Sequence, residues 1–592
     1  MNSSPFKHEV WLYGLAFLIA LALRFVALGA TPLTDSEATL ALQSLAIAHG
    51  DSPLLAPQSA YILFTAVLFA IMESANFLAR FLPALAGSAL VFVPYFFREK
   101  IHPRPALILA FLFAFDPGLV AISRQVNGTM FAVTFLLFAW GMWNRKQLIP
   151  AGIFAGLALL SGPSLWAGLL TLGITYLFIR GMKPNAAETQ PPLENLEAPI
   201  VNPKLVLSQV EASSTSQLSI TNPQLLISII VAFLLGGTLF FTAPSGLSAA
   251  LSSLVAYFNG WVAPTTASPG RILFTFFVYE SLGIFLAALA TFRALRINGK
   301  RAKRLTIWLG VALLLAAFYR QPAELAWAIV PLLTLSAFEL ARLFEIQREE
   351  YKEVGIVAVA LSILLVYTWF SVSGIALNPY SQFPVNLPFF GEVQNARILA
   401  LFGSLAIVIA CVALAALGWS ARIARIGATF AFTVFLGVYA MAAAWGASGL
   451  RNPNGVELWS ADPRAIQADL LLASVNDLSE FSLGHPQSQP VIISGVASPA
   501  LEWVLRNHSA QTAAVLGAQA EPPIVITPPM GSLGLASAYR GQDFLWRGQP
   551  QWANLKAQDW LKWLIFRELP MEHETIILWA RDNLFPDARG GK

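Results

Sequence analysis

Long apolar stretches separated by short polar segments fill the chain from Val10 to about Trp445. They lie at 10–29, 80–97, 105–122, 127–143, 148–163, 164–181, 224–243, 271–292, 305–320, 322–342, 353–373, 397–417 and 427–447. Most hold roughly 17–25 residues, the length a helix needs to cross a hydrocarbon core of about 30 Å. The pattern predicts a mainly α-helical, polytopic membrane bundle of about 13 spans. The alternating ten-residue segments of a membrane β-barrel are absent from the sequence. Tyr61–Glu73 ("YILFTAVLFAIME") is apolar but shorter, which suits an interfacial or re-entrant helix.

Two segments break the pattern. Residues 183–223 are rich in Pro, Ser, Asn and Glu without apolar periodicity, and read as a disordered cytoplasmic linker. Residues 451–592 alternate helix-like runs ("PRAIQADLLLASVNDL", "AQDWLKWLIFREL") with β-rich ones ("PVIISG", "PPIVITP", "ETIILWA"). That order predicts a small α/β domain with a partly parallel sheet. Most of its tryptophans (Trp459, Trp503, Trp546, Trp552, Trp560, Trp563 and Trp579) are expected in its core, some at the membrane surface. The expected organisation is therefore a membrane region over 1–182, the linker, a second membrane region over 224–450, and the C-terminal domain.

Charge orients the bundle. With the N-terminus in the cytoplasm, the inner loops collect Arg98, Lys100 and Arg104, then Arg145 and Lys146, then a cluster from Arg293 to Arg304. The other side keeps single cations such as Arg80, Arg124, Arg271 and Arg320. By the positive-inside rule this favours an odd number of spans in the cell membrane. The loop after the first span and the C-terminal domain are then both extracytoplasmic.

Composition agrees. Of 592 residues, 56% are hydrophobic and 12% charged, against about 25% charged in soluble domains. The single cysteine, Cys411, allows no intrachain disulfide. The histidines show no metal-ligand spacing, and P-loop, GxGxxG-before-helix and GxSxG motifs are missing. No cofactor is implied with certainty, and a divalent cation stays open. The basic residues are dispersed, so nucleic acid is not an expected partner.

Candidate chemistry sits where the chain leaves the membrane. "LGATPLTDSEATLALQSL" carries Asp35 and Glu37. One reading is a helix start with Thr34 as N-cap and acids suited to the macrodipole. The other is a general base, its pKa raised by apolar walls. In "FDPGLVAISRQVN", Asp116 precedes a proline within a span, which makes it a functional candidate or a cap of a helix break. Arg124, two turns on, suits a phosphate or a lipid headgroup. Glu280 in "FVYESLGIF" is expected to face a cavity or a cation, while Arg320 and Glu324 either touch substrate or pair with each other.

Four stretches resemble the GT-C type of membrane glycosyltransferase, nearest its family-39 group. That group holds the protein O-mannosyltransferases, the lipid A aminoarabinose transferases and a flippase-associated branch. The stretches are "LRFVALG" with "SEATLALQSLAIAHG", "SAYILFTAVLFAIMESANFLARFLPALAGSALVFVPYFF", "FDPGLVAISRQ" and "RQPAELAWAIVPLL". "EWVLRNH" and "WLKWLIFRE" are similar to the tail of the flippase-associated branch. The resemblance implies an outward site, a polyprenyl-phosphate sugar as donor, and inverting transfer of a hexosyl or pentosyl group to a lipid, glycan or protein acceptor. It places catalysis on the first-loop acids, with Asp35 the expected base and Glu37 supporting or replacing it. Arg124, Asp116, Glu280, Arg320 and Glu324 are the expected substrate-binding residues.

There is one departure. Aligned on "EATLAL", the family's aspartate falls on Ser36 and its glutamate on Glu37. Serine is no carboxylate base. Asp35 replaces it, or Glu37 does, or the protein is a non-catalytic member of the fold that assists lipid-linked sugar transport or assembly. A plain secondary transporter is disfavoured by the large outer domain.

Overall fold

A computed structural model describes residues 6–181 and 222–585, apart from 266, 298, 346–347, 379–384, 388–390, 394–395, 452–455, 461 and 518–519. The expected linker at 183–223 lies almost wholly outside the described residues. The protein is mainly helical, with a C-terminal sheet.

Seven helices among the described residues are long and apolar enough to cross a membrane, and up to nine if two bent pairs each count as one span. All thirteen expected stretches coincide with helix, but length divides them. Thr129–Asn144, Leu148–Leu159 and Pro223–Gly237 are apolar helices shorter than a straight crossing requires. Apolar composition marks a segment as lipid- or core-facing, whereas crossing depends on where the helix stops. Ser59–Ile71 forms the expected short apolar helix. A further helix, Ser245–Gly260, lies where the sequence offered no span.

The two bent pairs break at acids. Pro103–Phe115 and Pro117–Ser123 meet at 55° across Asp116, and Pro269–Tyr279 and Ser281–Ile297 meet at 85° across Glu280. Asp116 explains its own break: Pro117 cannot donate to the preceding turn, and Asp116 caps the new helix by accepting from the Leu119 N–H at 2.7 Å.

A two-stranded hairpin (β1, Val385–Leu387; β2, Gly391–Val393) lies between two of the late helices. The C-terminal sheet has six strands: β3 (Arg464–Ala465), β4 (Val491–Ser494), β5 (Ala510–Ala513), β6 (Ile524–Thr527), β7 (Tyr539–Pro550) and β8 (Met571–Arg581). Their order is β3-β7-β8-β6-β4-β5, with β4 parallel to β5 and β6 and the other pairs antiparallel. The partly parallel sheet is as expected. The central strand β6 is buried along its whole length, consistent with its unbroken apolar run. Trp459, Trp503, Trp546 and Trp563 are buried side chains.

One hydrophobic cluster runs without interruption from the first helix (Ala16, Ala20) through Phe113 and Trp327 to Trp459, Trp546 and Leu578. The sheet domain thus shares a core with the bundle. A separate cluster, including Leu361, Val408 and Ala424, holds the helices Tyr351–Leu377, Ala396–Gly418 and Ala421–Ala447 together.

Candidate active site at the junction of bundle and sheet domain

The first loop folds as its sequence suggests. Thr34 caps the helix Asp35–Ala48 in a capping box: its hydroxyl accepts from the Glu37 N–H, and the Glu37 carboxylate accepts from the Thr34 N–H at 3.0 Å. The acids then diverge, because residues two apart on a helix point about 200° apart.

Glu37 turns inward and is buried. Arg80 grips it at 2.6 and 3.0 Å, and the Val126 N–H donates to it at 3.0 Å. Burial pushes its carboxyl up, but Arg80 and the backbone donors outweigh that and hold it below the usual carboxylate range. This corrects the expectation of a carboxylate raised by apolar walls. Arg80 also donates to the carbonyls of Thr31 and Pro32 and so fixes the loop's path.

Asp35 turns towards the sheet domain. Its Oδ1 accepts from the Ser498 hydroxyl at 2.6 Å and the Ala500 N–H at 3.0 Å. Its Oδ2 pairs with Arg547 of β7 at 2.6 Å. Between the two acids, exposed Ser36 donates its hydroxyl to the Asp462 carboxylate. Three consecutive residues of the first loop therefore have three destinations, two of them in the C-terminal domain.

Asp462 lines a cleft with Arg271, Ser460, Arg464, Gln549 and Trp552. Arg271 enters from the first turn of Pro269–Tyr279, a helix capped by Ser268. It lies over the Trp552 ring at 4.1 Å and donates Nη2 to the Ser460 carbonyl at 2.7 Å, yet its buried Nε and Nη1 have no hydrogen-bond partner among the described residues.

The remaining expected site residues are dispersed. Arg124 caps the end of the first helix by donating to the carbonyls of Leu23, Arg24, Val26 and Ala27. Its Nη groups are thus occupied by backbone, where the sequence suggested a phosphate. Asp116 and Glu280 come together where the two bent helices meet: Glu280 and Trp459 both pack against Gly118, two residues after Asp116. Arg320 and Glu324 form no ion pair with each other. Arg320 reaches the Trp261 and Ala263 carbonyls at 3.4 Å, and Glu324 accepts from Ser164 at 2.9 Å beneath Trp327. Among the described residues, no three His, Cys, Asp or Glu side chains gather as a metal site.

No family model and no curated protein matches the chain. Solved structures do. The chain is similar to ArnT from Cupriavidus metallidurans bound to undecaprenyl phosphate, at 14% identity over 88% of this chain and 93% of that one, with TM-score 0.49. It is also similar to the Archaeoglobus fulgidus oligosaccharyltransferase, at 12% identity over 87% of this chain and 68% of that one, with TM-score 0.40. A third is the arabinosyltransferase EmbB from Mycobacterium smegmatis, at 12% identity over 78% and 43%, with TM-score 0.39. The likeness is one of overall architecture.

Asp462, Arg547, Ser498 and Arg271 are the residues that sequence reading missed as site members. Arg271 carries no sequence signal beyond being a cation on the outer side. Asp462 stands in "WSADPRA", whose only local signal is an Asp-Pro turn. Nothing in the spacing relates it to a serine 426 residues earlier.

Proposed function

We propose that this chain is a membrane glycosyltransferase of the GT-C type, moving a sugar from a polyprenyl-phosphate donor to a hydroxyl-bearing acceptor at the extracytoplasmic face of the cell membrane. The observation that carries this reading is a cleft at the edge of the bundle where Asp462, bonded to Ser36 of the first loop, faces the same opening as the buried, incompletely bonded Arg271. The chemistry fits. The acceptor hydroxyl attacks the anomeric carbon, a carboxylate takes its proton, and the bond to the lipid phosphate breaks on the opposite face, with inversion. An arginine fork suits the charge left on the departing phosphate. The first-loop motifs and the shared face of Asp35 and the C-terminal domain support the same placement. The four-part division at 182, 223 and 450 belongs to this proposal, as does the cytoplasmic N-terminus.

The test is transfer of labelled sugar from a panel of polyprenyl-phosphate sugars by protein in lipid, with native membrane extract as acceptor. Turnover with at least one donor is the expected result. A specific observation favours a second reading, a non-catalytic assistant of lipid-linked sugar transport or assembly: Asp35 and Glu37 are both already held in ion pairs. Donor binding without turnover across the panel would establish that reading instead.

A further inference from the structure

Resting on that reading, we propose that Asp462 of the C-terminal domain is the catalytic base, held in place by Ser36, and that Arg271 receives the donor phosphate.

A base needs a free lone pair facing the acceptor hydroxyl. Glu37 has none to spare: it is buried, and Arg80 and two backbone N–H groups occupy both oxygens. Asp35 is satisfied by Arg547, Ser498 and the Ala500 N–H. A carboxylate whose oxygens already accept this many donors offers no free lone pair to the acceptor hydroxyl. Asp462 differs. Only Oδ2 is engaged by a side chain, the Ser36 hydroxyl, and no cation pairs with it among the described residues. It is partly exposed and borders the cleft.

The cleft itself asks for an anion. Arg271 is 9% exposed, and its Nε and Nη1 have no partner among the described residues. A buried guanidinium with two idle donors is costly unless an acceptor arrives. Arg464 lines the same cleft. An acid with a free oxygen and a guanidinium with free N–H groups therefore share one opening. The proton-transfer balance follows. The acceptor oxygen bonds to the anomeric carbon, its proton passes to Asp462, and the carbon–oxygen bond to phosphate breaks with its electron pair on the phosphate. That added charge is met by Arg271. Ser36 acts as a positioning residue, bringing to the first loop a carboxylate that the loop does not itself encode there.

The experiment uses the full-length protein in lipid with whichever donor the panel identifies. Asp462→Asn should reduce kcat by about 10²–10⁴-fold, the usual contribution of a general base, while undecaprenyl phosphate binding stays within threefold of wild type. Asp462→Ala should be equally slow and should regain at least tenfold with added formate, which supplies a carboxylate to the vacated space. Arg271→Met should weaken undecaprenyl phosphate binding by at least tenfold. A fall below tenfold in Asp462→Asn, no formate rescue, or selective loss of turnover in Asp35→Asn overturns the assignment while leaving the glycosyltransferase reading intact. Absence of wild-type transfer overturns both.

Discussion

Glu37 and Arg80 are, at the scale of single residues, a buried ion pair whose partners each also hold the backbone of the first loop. Removing one partner of such a pair costs roughly 3–5 kcal/mol, because the other charge is left uncompensated. Glu37→Gln should therefore lower the unfolding midpoint clearly, measured by thermal unfolding in detergent. A midpoint within a degree of wild type would contradict the pairing. The pH dependence has a definite sign. Glu37 is held lower when folded than its unfolded value of about 4.3, so its stabilisation is complete above that pH. It is lost as pH falls through the lowered folded value, and wild type but not Glu37→Gln should lose this increment in acid. Gly118 offers a second case. A Cβ there would stand 2.6–2.7 Å from Ile329, Glu280 and Trp459. Gly118→Ala should destabilise by about 1–3 kcal/mol through overpacking, and tryptophan fluorescence should report a displaced Trp459.

At the scale of elements, the helices were legible because crossing a bilayer demands a one-dimensional property, an unbroken apolar run. Their bends were only half legible. Asp116-Pro117 announces a break, and Asp116 serves as its cap. Glu280 stands at the 85° turn with no proline beside it, so the sequence carries no local mark of that bend. Asp116→Ala should remove the cap on the Leu119 N–H, lowering stability by the ~1 kcal/mol of a lost N-cap. Hydrogen exchange over 117–123 should rise. Unchanged protection there would show that Pro117 alone maintains the bend. The capping box at Thr34 was visible as a possibility, and it explains why Glu37 faces inward. Nothing local says where Asp35 and Ser36 point. Their partners Ser498, Arg547 and Asp462 come from a domain folded over them, and chain separations of 426–512 residues leave no spacing to read.

At the scale of the molecule, the sheet domain is part of the bundle's core and also grips its loops. Trp503 donates to Asn76 at 2.8 Å, Arg506 reaches Ser74, and Trp563 and Trp560 pack on Phe274. Glu457 links Tyr279 to Arg567, whose side chain is buried. Contacts therefore reach both membrane regions. The Asp35–Arg547 bridge should be one energetic unit with them. A double-mutant cycle of Asp35→Asn and Arg547→Met should give a coupling of roughly 0.5–3 kcal/mol in domain stability, and additive effects would show the bridge to be incidental.

The Asp35–Arg547 contact spans 512 positions of the chain. A nascent protein emerging from the ribosome makes its first loop some 512 residues before the Arg547 of β7. Until the final strands are synthesised and folded, the loop's serine has no Asp462 beside it and the cleft has no far wall. On the proposed function, the order of synthesis then acts as a safety catch: a chain that has not yet made its last strands is inserted but inert, and would spend no lipid-linked sugar.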